Sequence, residues 1–139
     1  MKKVFKLESR LESINIIEKE INDLVETYKI NYDTYGSILL SAVELLNNAI
    51  IHGNKLDPNK YVIFEYEIND NEFSICVQDE GNGFDYKNLP DPTAPENIEK
   101  PHGRGLFLIS HLTDELKFEN NGTKVICKIK LNSSNSKTK

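Results

Sequence analysis

Glu44-Leu45-Leu46-Asn47-Asn48-Ala49-Ile50-Ile51-His52-Gly53 is the stretch whose reading decides the fold. Glu44, Asn48 and His52 recur every four residues, so a helix sets them along one stripe. A carboxylate, a carboxamide and an imidazole placed this way can coordinate a hard cation or position a nucleophile. Taken alone, such a stripe reads as a solvated helix face. Its neighbours argue otherwise. Leu45, Leu46, Ala49, Ile50 and Ile51 surround it, which describes a helix buried on most sides with its polar stripe turned towards a cavity. Upstream, Ile38, Leu39, Ala42 and Val43 continue the apolar face and predict a helix over residues 33–52. The Gly53-Asn54 and Asp57-Pro58-Asn59 clusters end it.

Working outward, residues 3–8 read as a short strand. Ile14, Ile17, Ile21, Leu24 and Val25 recur at spacings of three and four, which predicts a first helix over residues 12–28 with Asn31 as its stop. Beyond the second helix, residues 61–68 and 72–78 alternate apolar and polar positions around an Asn69-Asp70-Asn71 turn, the pattern of a hairpin. Residues 84–101 hold four of the chain's five prolines, which excludes a regular helix or a central strand there. A loop of that length is uncommon unless it is functional or disordered. A third helix over residues 105–113 and a final hairpin, 115–119 with 123–131, complete the order. The sum is an α+β fold, a two-layer sandwich: a mixed, mostly antiparallel sheet covered on one face by helices. Residues 1–131 form a single domain, and the polar 132–139 segment reads as a disordered tail.

The chain has 139 residues, long enough to bury a core without staples. Seventeen basic against twenty-two acidic residues give a formal charge of −5. That argues against direct nucleic-acid binding and against an anionic membrane surface. Uninterrupted apolar runs are only a few residues long, short of the ~20 a membrane span needs, and the N-terminus has no signal-peptide pattern. Cys76 and Cys127 lack metal-site spacing, so they read as sheet or core residues in a reducing cytoplasm.

Two further segments carry chemistry. Asp79-Glu80-Gly81-Asn82-Gly83-Phe84-Asp85 directly follows a strand. Its glycines let a ligand approach the backbone, and Asp79 can accept a hydrogen bond from an amine. His102-Gly103-Arg104-Gly105-Leu106 opens a helix, where free N–H groups and a fixed cation suit phosphate oxygens. It is neither a Walker A motif nor a dinucleotide-binding fingerprint.

In this order the three segments resemble the N, G1 and G2 boxes of the GHKL, or Bergerat-fold, ATP-binding superfamily. In size and motif wording the chain is most similar to the stand-alone bacterial anti-sigma factor serine/threonine kinases, with Gly122-Thr123 before the last strand also in place. The resemblance implies ATP and Mg²⁺ as cofactors. It gives Asn48 the metal, Asp79 the adenine amino group with Gly81 and Gly83 in the adjoining turn, and Thr123 a supporting contact to adenine. Gly103, Arg104 and Gly105 would hold the phosphates, residues 84–101 would form a lid, and Glu44 would act as general base or orient the attacking hydroxyl. His52 either contacts the phosphate region or caps and packs the end of the second helix, with packing favoured. The implied activity is phosphorylation of an anti-sigma factor antagonist by a protein that also binds a sigma factor, as a cytoplasmic homodimer. The alternative is a non-catalytic, ATP-gated binding module, against which Glu44 argues.

Overall fold

The computed structural model describes residues 1–83 and 101–131, with the backbone alone for 101–104. The expectations for a lid at 84–101 (but for the backbone of Pro101) and for a disordered tail at 132–139 lie outside the described residues. The elements are β1 (Lys2–Glu8), α1 (Ser13–Tyr28), α2 (Tyr32–Asn47), a π-helical turn (Asn48–Gly53), β2 (Tyr61–Ile68), β3 (Glu72–Gln78), α3 (Pro101–Leu112), β4 (Glu115–Glu119), a short 3₁₀ turn (Asn120–Gly122) and β5 (Lys124–Lys130).

The five strands lie in the order β1-β2-β3-β5-β4. Among the described strands every pairing is antiparallel, so the sheet expected to be mixed has no parallel pair there. Period-two alternation sends Val62, Phe64, Tyr66 and Ile68 of β2, Phe73, Ile75 and Val77 of β3, and Val125, Cys127 and Ile129 of β5 to one face, where they are buried. The helices cover that face. α1 contributes Ile14, Ile17, Ile21 and Leu24; α2 and the π turn contribute Ile38, Ala42, Leu45, Leu46, Ala49 and Ile50. This is the two-layer α+β sandwich the pattern predicts. Cys127 lies in this core, where burial pushes its thiol up to about 12. Burial also raises Cys76, on the opposite face of the neighbouring strand. Neither thiol is poised as a nucleophile.

Local chemistry moves several boundaries. Asn31 does not stop α1; it starts α2, its side chain accepting the Thr34 N–H at 2.8 Å. α1 ends instead at Lys29, which takes the left-handed conformation (φ 54°) and returns its N–H to Val25. α3 begins at Pro101, four residues earlier than expected. Proline is tolerated in a first helical turn, where its missing N–H has no intrahelical acceptor to lose. α2 and the π turn form one 22-residue helix, Tyr32–Gly53, whose length and mean hydropathy over a window suffice to cross a bilayer. No uninterrupted apolar run revealed that, and its most apolar side is the one laid on the sheet.

Gly36, inside α2, has open space around it: a Cβ there meets nothing within 4 Å among the described residues. Alanine at this position removes backbone entropy from the unfolded chain without a clash. Gly36→Ala is therefore expected to stabilise the fold by about 0.5–1 kcal/mol, read as a higher urea midpoint with an unchanged slope.

Candidate functional site

The end of the second helix and the end of β3 meet closely enough to forbid side chains at two positions. A Cβ on Gly53 would run into the Asp79 carboxylate, and a Cβ on Gly81 would run into the Gly53 carbonyl. Only glycine allows the two backbones and the carboxylate to stack in this way. Asp79 is then fixed from three sides. Its N–H donates to the Thr123 carbonyl at 2.9 Å, its Oδ1 accepts the Gly81 N–H at 2.8 Å, and its side chain rests on Gly53. Burial pushes its carboxyl above the usual range, opposed by the Gly81 N–H and by Lys60. The Gly81–Gly83 turn closes against the 3₁₀ turn, where Gly83 takes φ 85° beside the Asn121 backbone.

Glu44 and Asn48 sit one helical turn apart at the other end of the site and face the first turns of α3. A Cβ on Gly105 would lie 2.7 Å from Glu44 Oε1 and 3.7–3.8 Å from the two amide atoms of Asn48. Gly105 thus supplies the space beside these side chains. Helix geometry leaves the N–H groups of residues 102–104 without intrahelical acceptors. Gly103 and Arg104 lie in that turn, and the Arg104 side chain is outside the described residues.

Between the two ends lies a narrow cleft of about 30 Å³ among the described residues. Leu45, Ala49, Val77, Leu106 and Val125 give it apolar walls, while Asn48, His52 and Asp79 supply polar groups. The structure therefore brings Asn48, Asp79 and Gly83 to one cavity, with Gly81 behind Asp79. Glu44 and Gly105 stand beside Asn48 without lining the cavity. Thr123 also stands outside the lining: its carbonyl holds Asp79, and its hydroxyl donates to the Asn120 carbonyl at 2.8 Å. His52, read from sequence as packing, does line the cleft; burial and then Lys55 lower its pKa.

Among the described residues, Asn48 Nδ2 is buried without a hydrogen-bond partner. Such an atom needs an acceptor from elsewhere, and turning the amide over presents its carbonyl oxygen, a donor that a hard cation takes. Among the described residues no group of three or more His, Cys, Asp or Glu could hold a metal. A Mg²⁺ ion here fits the mode in which one protein oxygen is supplemented by substrate phosphates and water.

Sequence reasoning missed two features. One is the π turn, whose extra residue per turn leaves no trace in a 3.6-residue pattern. The other is Asn54, which reads as a helix terminator but is 1% exposed with its side chain fully engaged.

Comparison with known proteins identifies the family. The family described as "Histidine kinase-like ATPase domain" matches residues 7–129. An anti-sigma F factor from Clostridium perfringens is 38% identical over 96 residues, covering 64% of this chain and 67% of that one. A serine-protein kinase RsbW from Bacillus cereus is 27% identical over 118 residues, covering 81% and 73%. The crystal structure of the RsbU and RsbW domains of Rv1364c from Mycobacterium tuberculosis superposes with a TM-score of 0.64 at 12% identity. It covers 94% of this chain, which spans 31% of that one, and the likeness is one of fold.

Because burial raises the Asp79 pKa, its charge costs the ligand-free fold stability above that pKa, and the cost fades as pH falls through it. Asp79→Asn keeps the acceptor for the Gly81 N–H and removes the charge. The variant is expected to melt no lower than wild type at neutral pH, with any advantage shrinking in acid. In the same samples ATP affinity should drop roughly ten- to hundred-fold, the loss of a hydrogen bond to a charged group. Calorimetry and thermal melts across pH 4–7 read both; unchanged affinity removes Asp79 from the nucleotide site.

Proposed function

Because the chain belongs to the histidine kinase-like ATPase domain family, we propose that it is an ATP-dependent protein serine/threonine kinase that acts as an anti-sigma factor. It binds a sigma factor and phosphorylates an anti-sigma factor antagonist on a serine or threonine hydroxyl. The names of its relatives support the class of activity and of partner. The observation that carries the catalytic part is the convergence of Glu44 and Asn48 on Gly105, beside a cleft that reaches Asp79.

In this reading the base of ATP lies between the apolar walls, its amino group donating to Asp79. Thr123 acts on adenine through the Asp79 backbone that its carbonyl holds. The phosphates run towards the first turn of α3, where Gly103, Arg104 and the helix N-terminus meet them. Asn48 would hold Mg²⁺, which when bound neutralises phosphate charge. Phosphoryl transfer asks the protein chiefly for positioning and charge compensation. The acceptor hydroxyl oxygen forms a bond to the γ-phosphorus as the bond from that phosphorus to the β,γ-bridging oxygen breaks, and ADP departs. Glu44 orients the hydroxyl and takes its proton. A carboxylate at that position has no role in holding adenine, which is why it favours a kinase over a nucleotide-gated binding module. A homodimer acting in the cytoplasm belongs to the same proposal.

Glu44→Ala is expected to retain ATP binding and lose phosphate transfer to the antagonist by about 10²–10⁴-fold, the range for a positioned acid–base group. Asn48→Ala is expected instead to weaken Mg²⁺-dependent ATP binding itself. Radiolabel transfer beside an ATP titration separates the two. Transfer at the wild-type rate by Glu44→Ala rejects its role, and a wild type that binds ATP yet transfers no phosphate favours the binding module.

A further inference from the structure

Asn54 follows the π turn and carries more buried side-chain hydrogen bonds than its place in a loop requires. Its Nδ2 donates to Ser9 Oγ at 2.9 Å and to the Tyr61 carbonyl at 3.0 Å, and its Oδ1 accepts the Glu80 N–H at 2.7 Å. Its own N–H closes the π turn on the Ala49 carbonyl at 2.8 Å. Each donor and acceptor of the amide is thus used, at 1% exposure. The partners come from four places: the β1–α1 corner, the start of β2, the residue after Asp79, and the helix that carries Asn48. Two of them are braced in turn. Ser9 Oγ donates to the Lys60 carbonyl at 2.6 Å, and Glu80 Oε2 accepts the Tyr61 N–H at 2.6 Å.

The location of these bonds matters more than their number. Asn54 is joined covalently to Gly53, whose Cα bears on the Asp79 carboxylate. Through Oδ1 it is joined to Glu80, the residue covalently next to Asp79. The amide therefore holds together the two backbone segments whose separation fixes where the Asp79 carboxylate stands. Among the described residues it is not part of the cleft lining, and its side-chain hydrogen bonds go to none of the groups proposed to touch ATP. We infer that Asn54 is a positioning residue for nucleotide selection: it sets the Asp79 carboxylate at the height of the adenine amino group, and so determines how strongly the site prefers a 6-aminopurine.

This inference rests on the reading of Asp79 as the adenine acceptor, and its test separates the two. The probe pair is ATP and purine riboside triphosphate, which differ only by the amino group. Their affinity ratio isolates the Asp79 contact and is insensitive to a general loss of folded protein. Wild type is expected to prefer ATP by roughly ten- to hundred-fold. Asn54→Ala is expected to bring the ratio to within about threefold of parity, while affinity for purine riboside triphosphate changes little. Ser9→Ala removes one anchor of the amide far from the nucleotide, and it serves where Asn54→Ala does not fold. It is expected to lower the ratio in the same direction by a smaller factor. A ratio at the wild-type value in either variant, with a native melting transition, overturns the positioning role alone. A wild type with no preference between the two nucleotides overturns the adenine role of Asp79 and this inference with it.

Discussion

The approach of the Gly53 backbone to the Asp79 carboxylate is the constraint on which the site depends. A carboxylate half withdrawn from water is unfavourable unless its surroundings hold it in one place and return some hydrogen bonding. Here the return comes from the Gly81 N–H, and the place comes from Gly53. Any side chain at 53 or 81 would wedge the second helix away from β3. That would open the gap between the wall carrying Asn48 and the turn carrying Asp79. The apolar packing of Leu45, Ala49 and Ile50 on the sheet supplies the force that closes this gap, and the glycines set how far it closes.

Much of the architecture was legible because its determinants are periodic. The alternation at Val62, Phe64, Tyr66 and Ile68 and the spacing of Ile14, Ile17, Ile21 and Leu24 give strand and helix directly, and the boundaries of β2 and β3 match to the residue. What escaped the pattern was set by single hydrogen bonds or single torsions. Asn31 can cap a helix from either side, and only the Thr34 N–H decides which. Lys29 gives no hint in its composition that it takes a left-handed torsion. Pro101 reads as an obstacle to helix, although the first turn is where a helix accepts it.

The candidate site divides along the same line. Glycines beside an acidic residue at a strand end, and a polar stripe on an apolar helix, are visible as local exceptions to pattern. Their convergence on one cleft was legible only through resemblance to a family, because no local rule relates residue 48 to residue 79. Asn54 was invisible for the opposite reason. Asparagine after glycine is what any turn contains, and its partners lie 45, 7 and 26 residues away in the chain. The residue-level roles at Gly103 and Arg104 belong to the family resemblance, since the structure adds only their place in the first turn of α3.

The strand order has a consequence for how the protein comes into being. β3 pairs with β5 rather than with the strand that follows it, so Phe73 lies opposite Ile129 and Val77 opposite Val125. The far wall of the cleft is therefore made by β5, which follows β3 later in the chain. During translation, which adds residues at roughly 5–20 per second, β1, β2, β3 and the first two helices emerge before β5, and the Asp79 backbone N–H awaits the Thr123 carbonyl. Until β5 arrives, β3 is an unprotected sheet edge and the cleft lacks Gly122 and Val125. The pairing of β3 with β5 that completes the cleft also removes this open edge.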